Sequence, residues 1–288
     1  MQLSDFADRF ERSVLPLKKR STRATVRSHL NLLLPRLGHL ELDQFTYPTV
    51  QAFITQLSQE KAPKTVRTIW GTLHNILRRA EREGLVLSVP QPDLPEPDYQ
   101  DERCFEVAEL RALIAASPVP AFDALLAETG ARLGEALALV AADLSASNLT
   151  LRIDETLFRG EAGTPKTRSG FRTISISPWL CELLLPLAED GRPLFRTRNG
   201  TPWCSNKAGE HIHEVCEAAG VPREPGDGAH AYRRGNITAM VSVLGISEKV
   251  ASYRVGHKPK SLTLGLYCRP VPGFDKSCAN QLAELLKP

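Results

Sequence analysis

Three stretches in the first third of the chain space their apolar residues three and four apart: LSDFADRFERSVL, TRATVRSHLNLLLPRL and APKTVRTIWGTLHNILRRAEREG. That period fits one face of an α-helix and predicts a small helical bundle over residues 1–88. Residues 89–103, VPQPDLPEPDYQDER, break the pattern with Pro90, Pro92, Pro95 and Pro97 among acidic residues. Proline at that density prevents helix and sheet ladders, so this segment is expected to be an exposed linker. Helical spacing resumes within residues 104–288 in EVAELRALIAAS, PAFDALLAE and TGARLGEALALVAADL. The period then drops to two in NLTLRIDETLF and FRTISIS, with the turn-rich GEAGTPKTRSG between them. Residues 148–177 therefore read as a short antiparallel sheet with a basic loop. PWLCELLLPLAE, SNKAGEHIHEVCEAAG, AYRRGNITAMVSVLG, SEKVASYRVG and NQLAELLKP return to helical spacing. The expected fold is mainly α, with a small antiparallel β-sheet in the C-terminal domain.

Composition narrows the class. The 288 residues carry 36 Lys and Arg against 33 Asp and Glu, a net charge of +3, with 42% hydrophobic residues. Those values describe a globular chain, long enough for two domains with separate cores, and exclude a disordered tail or a fibre. No run reaches the roughly 18 apolar residues of a membrane span, and the start, MQLSDFADRF, has no basic segment followed by an apolar one. A cytoplasmic protein is expected. The six cysteines are scattered, which argues against a zinc knuckle or a compact disulfide framework. His211 and His213 alternate as residues of a strand would, and nothing at ligand spacing completes a metal site around them. No metal is expected.

Charge is unevenly placed in the first domain. Lys18, Lys19, Arg20, Arg23, Arg27 and Arg36 follow one another with no acid between them. A second run, Lys61, Lys64, Arg67, Arg78, Arg79 and Arg82, is interrupted only by Glu81. Two basic helical faces on a domain of near-zero net charge suit the DNA backbone. Taken alone, the runs fit solvated helix surfaces equally well.

Four segments of the second domain carry the chemistry. TGARLGEALAL places Arg132 where the turn Thr129-Gly130 passes into a helix, with Glu135 three residues on. TPKTRSGFRTISI places Lys166 on the loop between two predicted strands, HAYRR contains His230 and Arg233, and VGHKPKSLTLGLY contains His257 and Tyr267. Each motif is weak alone: the arginines could be surface ion pairs, Lys166 a solvated loop residue, the histidines helix caps and Tyr267 a buried aromatic. In this order and at these spacings they resemble the tyrosine recombinase (phage integrase) family, over the whole catalytic half. The helical first domain resembles that family's core-binding domain.

The chemistry implied by the resemblance has a physical logic. Attack on an anionic phosphodiester builds charge on its nonbridging oxygens, so fixed donors that stay charged are needed, and Arg132 and Arg233 match the family's arginines. Tyr267 matches the nucleophile, whose phenol is more acidic than an alcohol and leaves again when the strand is resealed. Its attack would produce a 3′-phosphotyrosine and a free 5′-hydroxyl, which needs neither cofactor nor nucleotide. Lys166 matches the hairpin lysine that protonates the leaving oxygen, His230 the histidine that assists proton transfer, and His257 the one that hydrogen-bonds the phosphate. Glu135 is expected to hold Arg132 or its loop. Arg168 and Arg172 are expected to touch the DNA backbone, together with Lys18, Lys19, Arg20, Arg23, Arg27, Lys64, Arg67 and Arg78.

The resemblance also implies double-stranded DNA recombination sites as partner, a homotetramer on paired sites, and room for a DNA-bending accessory protein. The helical domain begins almost at Met1, which suggests the compact two-domain kind without an arm-binding domain. An integrase of a mobile element is the favoured role. A Xer-type resolvase of replicon dimers, a strand-relaxing topoisomerase of the related IB type and a catalytically silent DNA-binding regulator are the alternatives. HAYRRG departs from the usual residues around the second arginine, with Tyr232 expected to fill an apolar place, and one extra residue separates His257 from Tyr267. The segment ending in NQLAELLKP is left with two options, packing on its own domain or on a neighbouring protomer.

Overall fold

The computed structural model describes residues 1–97, 103–164, 168–224, 226–257 and 274–287, without the side chains of Arg168 and Phe274. The chain forms two compact units, Met1–Asp101 and Glu102–Pro288.

The first unit is built on α1 (Leu3–Ser13), α2 (Arg20–Leu37), α3 (Tyr47–Glu60) and α4 (Pro63–Arg82). In α4 the buried residues Val66, Ile69, Trp70, Leu73, Ile76, Leu77 and Ala80 keep helical spacing, so one face meets the core. They pack against Leu3 and Phe6 of α1, Leu33 and Leu37 of α2, and Phe53 and Leu57 of α3. Helix α3 lies outside the three segments whose period predicts a helix. Its signals are Pro48 in the first turn and buried Val50, Phe53, Ile54 and Leu57.

The proline-rich stretch is not fully exposed. Val89 is buried in the first unit's core and Leu94 packs on it. Asp93 accepts a hydrogen bond from the Tyr47 hydroxyl at 2.7 Å and its backbone N–H donates to Gln51, while Arg67 donates to the Pro95 carbonyl. Proline removes regular ladders but leaves carbonyls free to accept from α3 and α4.

The second unit is organised around α6 (Pro120–Thr129), in which every residue from Ala121 to Thr129 is buried. α5 (Val107–Ala116), α8 (Pro178–Leu184), α10 (Ala229–Thr238) and the C-terminal α12 (Phe274–Leu286) pack on it. α7 (Leu133–Ala138), α9 (Ser205–Ala218) and α11 (Glu248–Val255) complete the helices among the described residues. α7 is shorter than its sequence pattern suggests. Beyond Ala138 the chain turns extended, with Leu139 accepting from Leu194 N–H and Val140 bridging Pro193.

The sheet runs β1-β2-β5, all antiparallel, from β1 (Leu144–Ser145), β2 (Thr150–Ile153) and β5 (Arg172–Ser175). Leu151 faces Ile174 and Ile153 faces Arg172. A separate hairpin, β3 (Thr156–Phe158) with β4 (Glu161–Gly163), lies between β2 and β5 in the chain.

The structure bears on two sequence expectations. His211 and His213 sit on helix α9, not on a strand, and His211 is buried with Nε2 2.8 Å from Asp123 Oδ2. Helix α12 packs on its own unit, burying Cys278, Ala279, Leu282 and Leu286, and Asp275 accepts from Arg254 and from the Ser175 N–H. Among the described residues no helix is long and apolar enough to cross a membrane.

Candidate active site

The site begins where α6 ends. Thr129 Oγ1 donates to the Leu125 carbonyl at 2.6 Å and accepts from Ala131 N–H, which turns the chain sharply. Gly130 follows with φ +59°, and a Cβ there would lie 2.5 Å from Asn236 Oδ1. Glycine is the residue this left-handed, crowded position accepts. Asn236 of α10 donates to the carbonyls of Ala127 and Glu128, so the last turn of α6 is capped by α10. The next residue but one after the turn is Arg132, at the N-terminus of α7.

Arg132 is bound to Glu135 twice. Its Nη1 donates to Oε1 at 2.6 Å and its backbone N–H donates to Oε2 at 3.0 Å, a capping arrangement that fixes both the side chain and the start of the helix. Arg132 Nη2 donates to the Gly256 carbonyl at 3.2 Å. Arg233, on α10, donates through Nη1 to the Gly130 carbonyl at 2.6 Å and through Nη2 to the Val255 carbonyl at 2.7 Å. Both arginines therefore meet at two chain turns, the one after α6 and the one after α11. Gly256, with φ +67°, forms the second of these turns and directly precedes His257.

A third guanidinium joins them. Arg172 has a side chain only 1% exposed, and Nη2 donates to Glu135 Oε2 at 2.9 Å. Its Nε donates to the Arg254 carbonyl at 2.7 Å and its Nη1 to the Gly170 carbonyl at 3.1 Å. Arg132, Arg172 and Arg233 repel one another around the single carboxylate of Glu135. Burial, and then the charges of Arg132 and Arg172, pull the Arg233 guanidinium down to about 10. Burial alone would raise the Glu135 carboxyl, but Arg172 and Arg132 outweigh it and hold the group below the usual range. His257 is lowered by partial burial of its ring, then by Arg233, Arg132 and Arg172, which keeps its imidazole neutral near pH 7. The cluster holds excess positive charge in a partly desolvated place, where an anion gains most.

An integrase of Staphylococcus phage L54a is 24% identical over 178 residues, covering 55% of this chain and 49% of that protein. The chain thus spans about half the length of the curated relative it matches. The Tn1549 transposon integrase in complex with a circular intermediate DNA superposes with a TM-score of 0.76 at 19% identity, over 98% of each chain. A lambda integrase dimer bound to a core site gives 0.72 at 18% identity, over 95% of this chain and 81% of that one. The chain has the tyrosine recombinase fold. No protein-family model matches it. The expected resemblance to tyrosine recombinases is borne out in the fold.

Among the residues expected from sequence, this tyrosine recombinase fold brings together Arg132, Glu135, Arg233 and His257. His230 is exposed on α10, three positions before Arg233 and so close to it on the helix surface. Lys166 and Tyr267 lie outside the described residues. Tyr232 fills the apolar place expected of it, buried edge-to-face against Phe105, and its hydroxyl donates to Asp123 Oδ1 at 2.5 Å.

Arg172 corrects the sequence reading. The motif suggests a contact with the DNA backbone, but all three of its guanidinium nitrogens are engaged inside the unit, so it presents no donor at the surface. The signal is present in the alternation itself. In FRTISIS, Arg172 is in phase with Ile174 and Ile176, both buried, and a charge in phase with a core strand face must have a buried partner.

On the first unit, Lys18, Lys19, Arg20 and Lys64 are exposed near the N-termini of α2 and α4, and Arg23 is half-buried on α2. Arg27 pairs with Glu11, Arg78 with Glu81 at 2.5 Å, and Arg67 is held by Pro95. Neither α2 nor α4 has an acid in its first turn, so positive side chains add to the positive ends of the helix dipoles.

Proposed function

We propose that this protein is a site-specific DNA recombinase, an integrase of a mobile element, that cuts and rejoins strands through a 3′-phosphotyrosine. One observation carries the reading. Arg132, Arg233 and His257, read from separate motifs, converge on the two turns at Gly130 and Gly256, with Glu135 as the carboxylate among the guanidiniums. The matched phage integrase and the Tn1549 transposon integrase belong to mobile elements by their names, which supports that role.

In this reading the scissile phosphate sits against Arg132 and Arg233, whose guanidiniums stabilise the charge that builds on its nonbridging oxygens. The neutral imidazole of His257 supplies a further hydrogen bond to the phosphate. The phenol oxygen of Tyr267 attacks phosphorus as the bond to the 5′-oxygen breaks. His230 assists removal of the phenol proton, and Lys166 delivers a proton to the departing oxygen. Reversal with another strand's 5′-hydroxyl rejoins the DNA. The phosphodiester energy stays in the adduct, so the reaction consumes no nucleotide and requires no metal.

Lambda integrase is known as a tetramer on a Holliday junction, and we assign the same assembly to this chain on paired duplex sites, with any DNA-bending protein as an accessory. The exposed cations at the start of α2 and α4 then grip phosphates while the second unit performs chemistry.

The test is a denaturing pull-down of the protein from cells, wild type against Tyr267→Phe, with sequencing of the DNA that stays attached. Fragments ending at a shared site, present only with the tyrosine, are expected. Arg132→Ala and Arg233→Ala should lower adduct formation by roughly a hundredfold or more while DNA is still bound. A protein that binds a defined site yet never forms an adduct, even on purified nicked DNA, would establish a regulator with this fold instead.

A further inference from the structure

The reading above rests on Arg132, Arg233 and His257. Arg172 has its three guanidinium nitrogens engaged inside the unit, and its bonds tie together the elements that carry two of those residues. Its Nη2 holds Glu135 Oε2, the same oxygen that accepts the Arg132 backbone N–H, while the other oxygen of that carboxylate holds the Arg132 side chain. Its Nε holds the Arg254 carbonyl, two residues before Gly256 and three before His257. Its own backbone lies on β5, opposite Ile153 of β2, so the anchor is a sheet and not a loop.

The contact at Gly256 is tight. A Cβ there would lie 2.8 Å from Arg172 Nη1 and 2.8 Å from the Ser169 carbonyl. The guanidinium is therefore packed directly against the turn that presents His257. Lysine could supply the charge but not three donors in one plane aimed at three different elements.

We propose that Arg172 is a positioning residue for strand cleavage, acting through Glu135 on Arg132 and through the end of α11 on His257. This rests on the recombinase reading. It assigns the third arginine to the geometry of the site, where the other two arginines act on the phosphate.

The experiment is a double-mutant cycle between Arg172→Lys and Glu135→Gln. The rate of covalent adduct formation is measured under single-turnover conditions, on nicked duplex carrying the site recovered by adduct sequencing. DNA affinity and the urea midpoint are followed in parallel. Each single variant is expected to lose about tenfold or more in adduct rate, with affinity within about twofold. In the Glu135→Gln background, Arg172→Lys is expected to cost less than it does alone, because the link through Glu135 is already cut and only the one to the end of α11 remains. A purely structural arginine would lower the urea midpoint and give multiplicative rate losses, which overturns the proposal, as does an unchanged rate in Arg172→Lys. Should Arg172→Lys fail to fold, Arg172→Gln takes its place in the cycle: an unchanged adduct rate overturns the proposal, and a loss with affinity retained, smaller in the Glu135→Gln background, supports it. Absence of an adduct with wild type on that DNA would instead remove the recombinase reading, and this inference with it.

Discussion

Arg132 reaches the carbonyl of Gly256 across 124 positions of sequence, at 3.2 Å. This bond joins the turn that opens α7 to the turn that closes α11, and His257 follows directly. The two turns are left-handed, so without a Cβ the backbone packs closely against Asn236 and Val255 at Gly130 and against Arg172 at Gly256.

Gly256→Ala tests that closeness. The φ of +67° and the 2.8 Å approach to Arg172 Nη1 and Ser169 O leave no room for a methyl group. We expect a stability loss of about 1–3 kcal/mol from the strained backbone, together with reduced adduct formation, because the guanidinium must shift. Urea denaturation and a cleavage assay on nicked DNA measure both. Wild-type values in both would show the turn to be tolerant.

Tyr232→Phe isolates the hydroxyl that donates to Asp123. Burial and then Asp123 push its phenol well above the ordinary range, so it remains a donor at any working pH. Asp123 is fully buried and also accepts from Ser117 Oγ at 2.6 Å, beside His211. Loss of one donor to a buried carboxylate should cost about 1–3 kcal/mol. The check is the chemical-denaturation midpoint, and no change would mean that Ser117 and His211 satisfy Asp123 alone.

Glu128 predicts a pH dependence of stability. Burial raises its carboxyl to about 7 from 4.5, against the lowering effects of the Ser177 hydrogen bonds and of Arg254. Between those values the folded protein keeps a proton that the unfolded chain has released, so this group's contribution to stability falls as pH rises through the window. Glu128→Gln, neutral throughout, should flatten that slope and become more stable than wild type by about 1–3 kcal/mol at pH 8. Urea midpoints at pH 5 and pH 8 decide it, and parallel slopes would contradict it.

Asp275→Ala addresses the docking of α12. Arg254 has a fully buried side chain and loses its carboxylate partner in this variant, while Ser175 N–H loses its acceptor. Leaving a buried guanidinium uncompensated should cost about 3–5 kcal/mol. Limited proteolysis should then remove the C-terminal helix first. Wild-type resistance would show that the apolar residues Leu282 and Leu286 hold the helix unaided.

Much of this protein is legible in the order of its amino acids. The spacing of Val66, Ile69, Leu73 and Ile76 prescribes a helix because side chains three and four apart share a face, and the alternation in FRTISIS prescribes a strand for the equivalent reason. Arg132 and Glu135 are readable as a pair, since three residues at a helix start bring a carboxylate back to the first N–H. These are local relations, and local chemistry suffices for them. The extended turn after Ala138, the laying of Val89 and Leu94 on the first unit and the docking of α12 on its own unit depend on partners far away in the chain. So does Arg172. Its place on the buried strand face is implicit in the pattern, but only the tertiary structure decides that its three donors go to Glu135, Arg254 and Gly170, because a buried guanidinium binds the carboxylate and carbonyls that folding brings within reach, wherever they lie in the sequence.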